Sequence, residues 1–215
     1  MPELRKAYDS PLRAEQASLT RRRVLDAARE QFVELGFAQV TIAGVARQAG
    51  VARETVYKTF GSKADLLKAA YDIAVAGDDD PTPLLGRPEI TELVDSGDLE
   101  RVAAAYGRIT AGIAVRVAPL INAMSAAGSH PELEQTVARM KDERLRGTRA
   151  LFRRLCPGAP SAALTEEVEA HWALISPEVA LLLLRDRGWS ANQYARWLAR
   201  QTVHQVESVR SSTRR

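Results

Sequence analysis

A chain of 215 residues, 46% hydrophobic and 27% charged, has an ordinary globular composition and enough length for one large domain or two small ones. Its net charge of +3 is too modest to announce a nucleic-acid partner, and its single cysteine, Cys156, excludes an intramolecular disulfide and fits a reducing cytosol. The longest apolar stretch, WALISPEVALLLL, falls short of the roughly 20 residues of a membrane span, and no secretory leader follows Met1, so a cytoplasmic protein with no membrane partner is expected.

Charge is unevenly placed. Arg5, Lys6, Arg13, Arg21, Arg22 and Arg23 crowd the N-terminal end. Residues 1–17 read as a flexible basic arm, and Arg22 stands where it can meet a phosphate backbone. The first helix is expected from Ser18 or Thr20 to Leu35, with Val24, Ala28, Phe32 and Leu35 as its buried stripe and Gly36 as its stop.

Thr41 to Lys63, TIAGVARQAGVARETVYKTFGSK, carries the strongest local signal. Thr41 suits an N-cap, and Ile42, Val45, Ala46 and Ala49 form one apolar helical stripe. Gly50 supplies a turn. In the next helix Val56 and Phe60 face inward, leaving Arg53, Glu54, Thr55, Tyr57 and Lys58 outside, with phosphate and base-edge chemistries suited to a major groove. Gly61 ends that helix, and Ser62 with Asp65 forms a capping pair for the next. Lys63 sits in a first turn, where a cation opposes the helix dipole unless something anionic is present. Lys63 and Tyr57 read as contacts that position a DNA backbone, Arg53 and Thr55 as base readers.

Over Arg22 to Leu67 the sequence, with its core VLDAAREQFVELGFAQVTIAGVARQAGVARETVYKTFGSKADLL, resembles the tetracycline-repressor (TetR) family without a gap. The resemblance implies an all-α homodimer with a helix-turn-helix DNA-binding domain, here 18–64, and a ligand-binding and dimerisation domain, here 65–209. Two residues depart from the pattern. Ala52 stands where the family carries a Ser or Thr cap, and Gly44 lies inside a helix, where it costs about 1 kcal/mol relative to Ala.

The segment 77–88, GDDDPTPLLGRP, reads as a solvated linker, because its prolines and glycines cannot continue a helix and its acids lack calcium-loop spacing. About nine helices are expected in all. One spans Glu89 to Val94; another starts near Asp98, carries Tyr106, Thr110 and Ile113, and breaks at Pro119 before a short piece with Met124. Pro131 opens a helix bearing Leu133, Val137, Met140, Leu151 and Leu155. On its wheel Arg144, Gly147 and Thr148 share the face of Met140 and Leu151, and a buried arginine needs a partner. A mainly apolar cavity with Tyr106, Thr110, Ile113 and Met124 on one side and Met140, Arg144, Thr148 and Trp172 on the other is the expected small-molecule site.

The end of the chain resembles the family's dimerisation helices. Thr165 is expected to cap a helix with Val168, Trp172 and Ile175, and Ser190 the last helix, where Tyr194, Trp197, Leu198, Thr202 and Val209 share a broad face. Trp172, Ile175 and those five form the expected dimer interface, a four-helix bundle about a two-fold axis. The two-fold predicts a palindromic operator. Residues 210–215 read as a basic tail.

Catalysis has no footing: His130, His171 and His204 are scattered, and neither a metal-binding HExxH, a phosphate loop nor a nucleophile elbow occurs. No cofactor or metal is expected. The sequence reads as a small-molecule-responsive regulator binding double-stranded DNA, with a ligand-sequestering or protein-interaction module bearing a vestigial reading head as the competing reading.

Overall fold

The computed structural model describes residues 3–78, 82, 84–128 and 130–212, with side chains from residue 13 onward except at Leu84. Ten α-helices and no strand occur among the described residues. The all-α expectation holds.

Helix α1 (Glu3–Gln39) is kinked at Gly36, whose φ of 75° is left-handed. The expected stop is therefore a bend. Its backbone is helical from Glu3, so residues 3–17 continue the helix and do not form the separate arm expected there; the side chains of Arg5 and Lys6 lie outside the described set. Leu35 is 42% exposed and not part of the buried stripe, which runs through Val24, Leu25, Ala28 and Phe32. The turn at Gly36 brings Phe37 into the core instead, its ring stacked on Phe32 at 6.1 Å.

Helix α2 (Ile42–Ala49) starts as its sequence demands: the Thr41 hydroxyl accepts from the Gly44 amide at 3.0 Å. Gly50, at φ 67°, sends its amide to the Ala46 and Arg47 carbonyls and closes the helix. Gly44 also finds its reason. A Cβ there would lie 3.1 Å from Gln31 Oε1 and 3.2 Å from the capping Thr41 oxygen, so the propensity cost keeps the cap and the contact with α1 uncrowded. Helix α3 (Arg53–Phe60) begins after Ala52 with no side-chain cap, as its sequence implies, and buries Val56 and Phe60. Helix α4 (Lys63–Ala76) opens on the expected pair, Ser62 accepting from the Asp65 amide and donating to its carboxylate.

Two compact units divide the chain, residues 1–72 with 119–136, and residues 73–118 with 137–215. Compactness thus divides α4 internally, beyond the 64/65 boundary expected from the sequence.

In the linker, Arg87 holds Asp78 through two 2.8 Å hydrogen bonds. Asp79 and Asp80, the rest of the acidic triplet, lie outside the described residues, as do Pro81, Pro83 and Ser129. Helix α5 (Pro88–Asp95) follows a 3-10 turn at Leu84–Gly86. Helix α6 (Leu99–Ser125) runs through Pro119, where a break was expected. Proline removes the bond to the carbonyl four residues back; that residue, Val115, is exposed, so water can serve its oxygen.

Helix α7 (Pro131–Leu155) opens on its proline as expected. Helix α8 (Ser161–Leu174) begins before Thr165, which was expected to cap it. Thr165 bonds back to the Ser161 carbonyl instead. Helix α9 (Pro177–Leu181), capped by Ser176, widens into a π-turn over Leu182–Asp186. Helix α10 (Ala191–Ser212) continues past the predicted tail boundary. Arg210 belongs to that helix and donates twice to the Leu155 carbonyl; residues 213–215 lie outside the described set.

The second unit packs two apolar clusters. Val102, Phe152, Leu155, Val168, Val206 and Val209 form one, Ala111, Ala114, Tyr194 and Leu198 the other. Helices α6 and α10 touch backbone to backbone, since a Cβ on Gly107 would fall 2.3 Å from the Ala195 carbonyl oxygen.

Candidate nucleic-acid interface and a polar cluster in the second unit

Helix α3 presents one face inward and one to solvent. Val56 and Phe60 anchor it, while Arg53, Glu54, Thr55, Tyr57 and Lys58 are exposed, Tyr57 by 44%. Its angle is set from below. Gly50 and the α2 stripe fix the turn, and α1 grips α2 through Gln31 to Gln48 and Gln48 to Glu30 hydrogen bonds, each 2.7 Å. Sequence reasoning missed that exposed amide chain, because side-chain partners 17 or 18 residues apart leave no local signal.

On the outer face Arg53 and Tyr57 are not independent. The guanidinium lies 5.1 Å from the Tyr57 ring centroid, and Nη2 donates to the hydroxyl at 3.4 Å. One turn apart on the helix, they form a single preorganised unit. Arg21 covers the Phe60 ring at 4.8 Å, and Arg22 is exposed beside it in sequence. Thr41, also exposed, uses its oxygen as a cap but keeps its O–H proton to give.

Lys63 is placed differently from the expectation. Its ammonium donates to the Phe37 carbonyl at 2.8 Å and the Ala38 carbonyl at 3.3 Å, and sits 4.4 Å from the Phe37 ring centroid. The cation that looked misplaced at the start of α4 serves the end of α1, where orphan carbonyls attract it. Burial lowers its pKa from the usual lysine value, against an opposing pull from Glu132.

In the second unit several expected lining residues do gather. The Arg144 guanidinium lies 4.9 Å from the Trp172 ring centroid. Tyr106 hydrogen-bonds Thr110, and burial pushes its hydroxyl up to about 12, with Thr110 and the Arg144 charge pulling the other way. Thr148 is buried but bonds its own helix at Arg144. Met140 is buried and Ile113 partly so. Met124 is buried in the first unit. The centre of the cluster is a residue the sequence did not offer as a ligand contact. His171, one of the three scattered histidines, is 0% exposed, bonded through Nδ1 to Gln205 Oε1 at 2.6 Å and flanked by the rings of Phe152 and Tyr106 at 5.1 and 5.5 Å. Burial drops its pKa to about 4, opposed by the Gln205 hydrogen bond.

The expected dimer face is largely core. Tyr194, Leu198, Thr202 and Val209 are fully buried within their own chain; Tyr194 donates to the Leu174 carbonyl, and Thr202 to that of Leu198. A broad apolar face on a terminal helix fills its own domain first. Trp172, Ile175 and Trp197 remain partly exposed, and Leu182, on the π-turn, is 56% exposed.

No group of three or more His, Cys, Asp or Glu gathers as a metal site among the described residues, and no described helix is long and apolar enough to cross a membrane.

An eight-residue helix, uncapped and exposed on its polar face, seated after a glycine turn on two supporting helices, defines a helix-turn-helix protein. Residues 24–70 match the family model TetR_N, bacterial regulatory proteins, tetR family. Among curated relatives, TtgR of Pseudomonas putida, an HTH-type transcriptional regulator, is 40% identical over 58 residues, 27% of this chain and 28% of the relative. SrpR of Pseudomonas putida, also an HTH-type transcriptional regulator, is 45% identical over 56 residues, 26% of each. These matches span little more than a quarter of either relative. Solved structures extend the likeness in fold: NalD of Pseudomonas aeruginosa, described as the secondary repressor of the MexAB-OprM multidrug efflux pump, superposes with a TM-score of 0.63 at 21% identity, covering 89% of this chain and 97% of that one. The multidrug binding protein EbrR, complexed with imidazole, gives 0.53 at 20% identity over 85% and 93%.

Proposed function

We propose that the protein is a ligand-responsive transcriptional regulator acting in the cytoplasm, a homodimeric repressor that leaves a palindromic operator when a small molecule binds its second unit. The observation that carries this is the outer face of α3, where Arg53, Thr55, Tyr57 and Lys58 stand exposed over the anchored Val56 and Phe60. Arginine and threonine can reach base edges, tyrosine and lysine the phosphates. Arg22 and the Thr41 hydroxyl flank that face as backbone contacts, and Glu54 can accept from a cytosine amine. Lys63 keeps a phosphate role only through whatever donor capacity the α1 carbonyls leave it.

The second unit supports the ligand half of the reading through Arg144, Trp172, Tyr106 and Thr110, polar groups set among apolar helices as in small-molecule sites. NalD's description as a repressor and EbrR's as a multidrug binding protein agree with it. A ligand that prefers one head spacing shifts the population, and operator DNA must weaken its binding by the same factor.

Selection of binding sequences from a random duplex pool at near-physiological salt, then titration of the enriched site, tests the proposal. A palindrome bound in the nanomolar range, with mismatches costing about 1–3 kcal/mol each, is expected; weak binding indifferent to sequence would defeat the repressor reading.

A further inference from the structure

Among the described residues, one buried imidazole nitrogen in the second unit's core has no hydrogen-bond partner. His171 Nδ1 faces Gln205 Oε1 at 2.6 Å, and a carboxamide oxygen only accepts, so the proton resides on Nδ1. Nε2 is left with a lone pair, buried, and among the described residues no hydrogen bond reaches it. Native interiors seldom leave such an acceptor empty, because it has been stripped of water and given nothing in return.

The surroundings narrow what could serve it. Tyr106, whose ring lies beside the imidazole, makes no hydrogen bond to Nε2. Aromatic rings flank the imidazole, Phe152 at 5.1 Å and Tyr106 at 5.5 Å, and the next residue on α8, Trp172, carries the Arg144 guanidinium over its ring. On α7, one turn from Arg144, a Cβ on the partly exposed Gly147 would meet nothing within 4 Å. Desolvation keeps the imidazole neutral at physiological pH, so it receives a proton donor and does not attract an anion.

We infer that His171 Nε2 is a ligand-recognition atom, and that the molecule it takes is an aromatic, largely apolar compound carrying an O–H or N–H donor, of the phenol type. A carboxylate is the wrong chemistry at this atom: it offers only acceptors, and its charge would meet a lone pair in a low-dielectric core. The inference rests on the ligand-responsive reading above and adds to it the class of effector and the atom that selects it.

Three probes on the full chain test it: 2-naphthol, its methyl ether, and 2-naphthoate, titrated by calorimetry and followed by 15N-histidine NMR. The naphthol is expected to bind about tenfold more tightly than the ether, the value of one buried hydrogen bond, with naphthoate weaker still. The His171 Nε2 resonance should move with naphthol and stay with the ether. In a His171→Phe, Gln205→Leu variant, which removes the polar pair together, the preference should collapse. Equal or tighter binding of the ether, an unmoved Nε2 signal in the naphthol complex, no binding of any probe to the natural chain, or a preference that survives in a folded variant would each overturn the inference. Should the variant not fold, the wild-type series and the Nε2 signal decide alone. The broader reading fails separately, when no member of a diverse library releases the selected operator; release by a compound without a donor leaves that reading standing and removes this one.

Discussion

Arg53 and Tyr57 share a ring contact and a hydrogen bond, so their substitutions cannot be read as independent. Arg53→Ala is expected to weaken operator binding by about 1–3 kcal/mol and relax preference at one base position. Tyr57→Ala frees the guanidinium as well as removing a phosphate contact, so the double variant should lose less than the sum; filter binding on the selected operator and its single mismatches measures both. His171 gives a pH signature. Its folded pKa, about 4, lies below its ordinary value of 6.5, so between those values the unfolded chain binds more protons than the folded one. Stability is full above pH 6.5 and falls as pH drops toward 4, by on the order of 3 kcal/mol. Urea unfolding across that interval should show the fall, and the His171→Phe, Gln205→Leu variant should lack it.

At the scale of elements, most of the head was legible because its signals are local. The Thr41 cap, the Gly50 turn, the Ser62 and Asp65 pair and the stripe of α2 each lie within a few residues of what they act on. The departures are places where a local rule is not enough. It puts Leu35 in the core, Thr165 at a cap and a break at Pro119, whereas Phe37 takes the core place, α8 begins earlier at Ser161, and α6 runs on through a proline four residues after an exposed one. Lys63 escapes a local reading because its partners lie 25 and 26 residues back. Two substitutions act on elements. Ala52→Ser supplies the missing cap to α3 in an already extended N-cap conformation, so it should raise stability by about 1 kcal/mol, read as a higher denaturant midpoint. Gly107→Ala places its methyl against the Ala195 carbonyl. Overpacking against backbone should cost about 3 kcal/mol or more, seen as a large fall in Tm.

For the whole molecule, the all-α class was legible from periodicity, whereas the interface was not. A helix wheel shows that α10 is apolar on a broad face but not which part its own domain consumes; burial of Tyr194, Leu198, Thr202 and Val209 answers that. The proposed homodimer must then use what is left outside, including Trp197, Val203 and the π-turn residue Leu182. Leu182→Glu is expected to shift sedimentation from dimer toward monomer with the helical signal intact, and Leu198→Glu to unfold the chain; a natural chain sedimenting as monomer at micromolar concentration would refute the dimer.

Arg116 on α6 donates through Nε to the Ala74 carbonyl at 2.7 Å and through Nη2 to that of Val75 at 3.1 Å. Two donors on one rigid plane, gripping two successive carbonyls, fix the azimuth of the last turn of α4 as well as its distance. A lysine would act as a ball joint; the guanidinium acts as a key in a slot. Rolling α6 about its axis by a single residue, about 100° by helix geometry, would break both bonds together, so torque on α6 at this point is passed to the end of α4 until the key slips.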